Sequence, residues 1–141
     1  MATRSSIALE FPNGAIKQVY CHWDGYIEHN GKILFENYSD PEKLKTLLDL
    51  GDLSSLGIDI GTKHDFDERT KYCTFYGRDN NQLDTKAEIF SDFQTYLKIA
   101  SFQEYNYILR NDGKWYVSYD IDNKFVLLYN EFVKIETESL K

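Results

Sequence analysis

Cysteine is scarce, basic charge is in deficit and no long apolar run occurs, and each shortage excludes something. The two cysteines, Cys21 and Cys73, are too few and too far apart for a disulfide framework, so they are expected as buried, inert thiols in a reducing compartment. Apolar stretches such as 125–129 fall well short of the roughly 18 to 20 residues that span a bilayer, which argues against a membrane protein. Ahead of Pro12 there is no continuous apolar segment, so no secretory leader is expected and a cytoplasmic location is. Sixteen basic residues against twenty-three acidic ones give a net charge of −7. That balance repels a phosphate backbone and disfavours direct nucleic-acid binding. The same excess serves solubility, or suits a basic partner surface, including one that ordinarily holds nucleic acid. Repeats, linkers and low-complexity tracts are missing too, leaving 1–141 as a single domain.

What the chain does have is aromatics: eleven tyrosines and nine phenylalanines in a composition that is 42% hydrophobic. Most are expected in the core, and any remainder supplies rigid amphipathic surface for recognition. Residues 5–11 and 15–22 alternate as strands about Pro12-Asn13-Gly14, a hairpin signal. Segment 32–38 is helix-like. Ser39-Asp40-Pro41-Glu42 then reads as a capping box opening a helix over 41–50, with Leu44, Leu47, Leu48 and Leu50 inward and Gly51 just past its end. Residues 51–57 read as a loop pinning Leu53 and Leu56, 57–70 as a long surface excursion, 73–76 as a short strand and 78–81 as a turn. Ala87, Phe90, Phe93, Leu97 and Ala100 are spaced for a helix over 84–100. Residues 104–109 and 114–119 flank Asn111-Asp112-Gly113 as a second hairpin, and the tail 125–135 fits either a helix or a strand start. The expected fold is α+β: an antiparallel sheet of four to five strands with two or three helices packed on one face.

Chemistry-bearing residues concentrate in Tyr20-Cys21-His22-Trp23-Asp24-Gly25-Tyr26. Strand alternation would place His22 and Asp24 on one side, where a shared hydrogen bond orients an imidazole for general-base work or simply closes the strand. His22, His29 and His64, followed by Asp65, Asp67 and Glu68, contain metal-binding residue types without close ligand spacing, so no metal or cofactor is expected. The stretch 57–63 departs from a phosphate loop, and Ser54-Ser55 lacks the strand and elbow of a serine hydrolase. Arg4, Arg78 and Arg110 allow an anionic, nucleotide-sized ligand, or pair with surface acids.

Thr3-Arg4-Ser5, the Tyr20-to-Tyr26 segment, the Gly51-to-Gly57 segment, Tyr76-Gly77-Arg78-Asp79 and Glu104-Tyr105-Asn106-Tyr107 together resemble a family of small bacteriophage proteins of unassigned function. The resemblance runs from Thr3 to about Trp115 and implies a viral accessory protein, working in the host cytoplasm, that binds a host or anti-phage defence component. The expectation is a non-enzymatic binding module or inhibitor that engages a host protein or sequesters a small nucleotide-like ligand. Its candidate binding residues are Tyr20, His22, Trp23, Asp24, Tyr26, His64, Asp65 and Arg78. A small metal- or histidine-dependent hydrolase and a structural virion component are the alternatives, and homo-oligomerisation stays open.

Overall fold

Gly14 takes φ +91°, a left-handed conformation that costs glycine least. The turn it permits pairs strand β1 (Ser5–Glu10) with β2 (Ile16–Cys21) antiparallel, from Ser5↔Cys21 to Glu10↔Ile16. In this computed structural model, which describes residues 2–82, 84–119 and 124–139, that hairpin is the middle of a larger sheet. The remaining strands are β3 (Leu53–Ser55), β4 (Thr74–Phe75), β5 (Glu88–Phe90), β6 (Tyr105–Leu109), β7 (Trp115–Ser118) and β8 (Val126–Leu127). They run in the order β4-β3-β2-β1-β6-β7-β8, with β5 beside β2.

Among the described residues eight strands replace the four to five expected, and the sheet is mixed: β1 pairs parallel with β6, and β2 parallel with β3 through Cys21↔Leu53. The undercount has a plain cause. Strands β3, β4, β5 and β8 are two or three residues long, too short to display alternation. Strand β2 also carries two partners along one edge: β5 faces Ile16 to Gln18, and β3 takes over at Cys21. The sheet forks there, and the residues after Cys21 leave the plane beside β3.

Both faces are covered, not one. Ile7, Leu9, Val19, Tyr107, Leu109 and Val117 are buried in the larger core, under helices α1 (Lys32–Asn37), α2 (Pro41–Asp49) and α5 (Leu128–Ser139). Leu44, Leu47 and Leu48 of α2 are wholly buried, each contributing about 1.5–3 kcal/mol of apolar burial. On the opposite face Ala8, Ile16 and Ile108 meet Phe90 and Tyr96. Tyr96 belongs to α4 (Phe93–Ile99).

Local chemistry corrects several expected boundaries. Asp40, not Ser39, caps α2, accepting from the Glu42 N–H at 3.1 Å, while the Ser39 hydroxyl donates to the Phe35 carbonyl. Residues 84–100 are not one helix: Asp92 accepts from the Thr95 N–H and starts α4 there, and the preceding residues pair with β2 as β5. The turn expected at 78–81 is the end of α3 (Tyr76–Asn80), which stops at left-handed Asn81. Residues 32–38, 104–119 and the tail take the expected forms, the tail as β8 running into α5. Among the described residues no helix is long and apolar enough to cross a membrane.

Candidate functional site

Beyond Cys21 the chain abandons strand geometry within three residues. Main-chain bonds from His22 N–H to Leu53 O (3.1 Å) and Trp23 N–H to Ser54 O (3.0 Å) tie it to β3. Asp24 then turns left-handed at φ 58°. Gly25 follows because only hydrogen fits: a Cβ there would lie 2.7 Å from Ser5 Cβ and 2.8 Å from Thr3 O. Tyr26 opens a single π-helical turn, Ile27–Gly31, a form that recurs at functional sites.

This segment is fastened from beneath by two buried side chains. Asn30 donates to Trp23 O at 3.1 Å and to Ser5 Oγ at 3.3 Å, while its own carbonyl oxygen lies 3.0 Å from His29 Nδ1. Tyr107, on central strand β6, donates to the Gly25 carbonyl at 2.6 Å. The expected His22–Asp24 hydrogen bond does not form, since the left-handed turn at Asp24 ends the alternation on which it depended. His22 Nδ1 bonds the Tyr20 hydroxyl at 2.7 Å, and Asp24 faces His29 Nε2 at 4.0 Å. Burial raises the Tyr20 phenol above its ordinary range and pushes the Cys21 thiol up to about 12. Neither group is an activated nucleophile at neutral pH.

The 57–70 excursion forms the facing wall. Arg78 holds it: the guanidinium donates to Ile60 O (3.0 Å), Gly61 O (3.2 Å) and Cys73 O (2.8 Å), and to Asp79 Oδ1 at 3.0 Å. Asp79, whose carboxylate is fully buried, also accepts from the Phe75 and His64 N–H groups. Burial alone would raise this carboxyl, but those donors, Arg78 first, outweigh it and hold it below the usual range. His64 bonds Thr62 O through Nδ1 and Thr74 Oγ1 through Nε2, both at 3.0 Å.

Between the walls lies an open groove of about 510 Å³, bounded by Trp23 and Asp24 on one side and by Phe66, Asp67, Glu68 and Arg69 on the other. Ser54, Ser55, Thr70 and Thr74 also line it. Trp23 is 43% exposed and Tyr26 37%, well above what a core aromatic shows. Of the eight residues singled out from sequence, Trp23 and Asp24 thus form the groove directly. His64 and Arg78 support its other wall, with Asp65 in a turn that accepts the Asp67 and Glu68 N–H groups. Tyr20 and His22 bond each other and do not line it, and Tyr26 is displayed beyond it.

Sequence reasoning missed Asn30, Asp79 and Tyr107, which fix the walls together with Arg78 and His64. Asn30 and Tyr107 reach main-chain atoms or distant residues that local spacing does not mark, and Asp79 joins its neighbour Arg78 to the Phe75 and His64 N–H groups. Of the two readings of Arg78, contact for an anionic ligand or partner of an acid, the second holds: it pairs with Asp79 and donates to three carbonyls. The histidines occupy separate hydrogen-bond sets, and among the described residues no group of three or more His, Cys, Asp or Glu side chains is placed to hold a metal. No family model, curated protein or solved structure matches the chain.

Proposed function

We propose that the protein is a non-enzymatic binding module that engages a partner protein through the groove between Trp23 and residues 66–70. The exposed indole of Trp23 beside Asp24 carries this reading, because a rigid aromatic with a flanking charge is the composition of an interface hot spot. The rim carries Asp24, Asp67 and Glu68 against Arg69 alone, so it favours a basic side chain of a partner over the phosphates of a nucleotide. The resemblance to phage accessory proteins makes a host or defence component the partner class to test first.

Native mass spectrometry of protein purified gently from a bacterial lysate tests this, with Trp23→Ala beside the parent. One stoichiometric protein partner is expected on the parent, weakened at least about tenfold by Trp23→Ala. Stability should fall by no more than about 1–2 kcal/mol, the loss of a partly covered side chain that packs edge-on against His22, so the fold is retained. A retained small molecule of nucleotide mass would replace the partner class, and a closed homo-oligomer would favour the virion reading. Partner binding indifferent to Trp23→Ala would sink the groove as the site.

A further inference from the structure

Helix α5 leaves part of its apolar surface uncovered. Phe132 and Ile135 pack against the larger core, yet Tyr129 is 56% and Val133 44% exposed. A cleft of about 370 Å³ lies between this helix and α1, floored by Phe35, Phe132 and Ile135. Phe35 meets Phe132 edge-on at 5.3 Å, so the floor is a packed aromatic surface and not a gap. A second cleft, of about 410 Å³, is also lined by Phe35 and Tyr129, together with Trp115, Leu127 and Lys114. The two clefts share those rings, and none of their lining residues belongs to the Trp23 groove.

Tyr129, Phe132 and Ile135 line the α1–α5 trough along about two turns of α5, and apolar grooves beside a helix take helices, whose residues at i, i+3, i+4 and i+7 supply a continuous stripe. Charge selects among them. The α1–α5 cleft is edged by Glu28, Glu36 and Glu136 against Lys32, on a chain whose net charge is −7. Carboxylates beside an apolar floor repel an acidic helix and attract one with cations flanking its stripe.

We propose that the trough between α1 and α5 binds an amphipathic helix of a partner protein that carries lysine or arginine beside its apolar stripe. This surface stands apart from the Trp23 groove, and either assignment can fail alone.

The chain supplies its own reporter. It has two tryptophans, and Trp115 lines the adjoining cleft that shares Phe35 and Tyr129 with the trough, its indole N–H without an acceptor among the described residues. In a Trp23→Phe background, Trp115 emission is titrated with a leucine–lysine amphipathic peptide of about four helical turns, and with the same peptide bearing glutamate for lysine. The lysine peptide should shift the emission saturably at one per chain, and the glutamate peptide should bind at least about tenfold more weakly. Tyr129→Asp with Val133→Asp should weaken lysine-peptide binding by a similar factor while leaving the unfolding midpoint in place, since both side chains are exposed. Glu28→Lys with Glu36→Lys should reverse the preference between the peptides. Equal binding of the two peptides would overturn the proposal, as would binding untouched by the α5 substitutions. So would a sedimenting dimer that Val133→Asp dissolves, because a second copy of this chain would then be the occupant.

Discussion

Trp23 and Asp24 stand on a segment bolted to the central strands through uncharged side chains, whereas residues 66–70 opposite them hang from a loop secured by ions. Asn30 and Tyr107 bond the first wall from inside the protein. Arg78, Asp79 and His64 hold the second, and 61–70 is exposed apart from half-buried His64 and Phe66. Few buried apolar contacts mean a low local opening free energy. The contrast defines a site with its aromatic anchor fixed in advance and its polar wall able to adjust, an arrangement that spares the ordering cost at the residue carrying most of the energy.

Breaking the comparison from the loop side should have the largest effect. Arg78→Ala leaves the buried Asp79 carboxylate without its cation and three carbonyls without a donor. Loss of a partner from a buried ion pair costs about 3–5 kcal/mol, expected at the lower end here because two N–H donors to Asp79 survive. Hydrogen exchange should rise across residues 60–74 and stay low across 22–31. Equal loss of protection in both segments would show that the walls are one cooperative unit. From the other side, Gly25→Ala places a methyl into Ser5, on central strand β1, and into the Thr3 carbonyl ahead of it, an overpacking that costs about 1–3 kcal/mol. Urea unfolding measures it, and exchange should now quicken at 22–31 first. A substitution tolerated without cost would mean that the anchor wall yields as readily as the loop.

The same contrast explains what could be read in the chain beforehand. Hairpins announced themselves because Asn13-Gly14 and Asp112-Gly113 require left-handed glycine between alternating strands, and α2 did so through Pro41 and its leucine spacing. These are local signals. Strand β3 was read as a loop and β5 as part of a helix because three-residue strands exist only through their neighbours: Leu53 against Cys21, Glu88 against Gln18. At the site, Trp23 and Asp24 were legible as a dense polar-aromatic cluster. Their facing wall was legible only as a loop, since its geometry comes from Arg78 reaching carbonyls 17 and 18 residues away. The predicted His22–Asp24 pair failed for a reason no alternation rule contains, the left-handed turn at Asp24.

Acid separates the walls most gently. Asp79 binds its proton less readily in the folded chain than at the ordinary aspartate value of 3.8. Its stabilising contribution is therefore complete above that value and is lost as pH falls below it, through the depressed folded pKa. The His64 and Phe75 amides donate directly to this carboxylate, so their proton shifts should titrate with a midpoint under 3.8 and stop titrating in Asp79→Asn. At the first wall the buried bonds from Asn30 and Tyr107 carry no charge, and Asp24 meets His29 only at an exposed 4.0 Å, a contact of little energetic weight. The amides of Trp23 and Asn30 should accordingly hold their positions through the Asp79 transition. If they move with it, the ionic latch of the loop also supports the anchor, and the groove opens and closes as a whole instead of adjusting along one side.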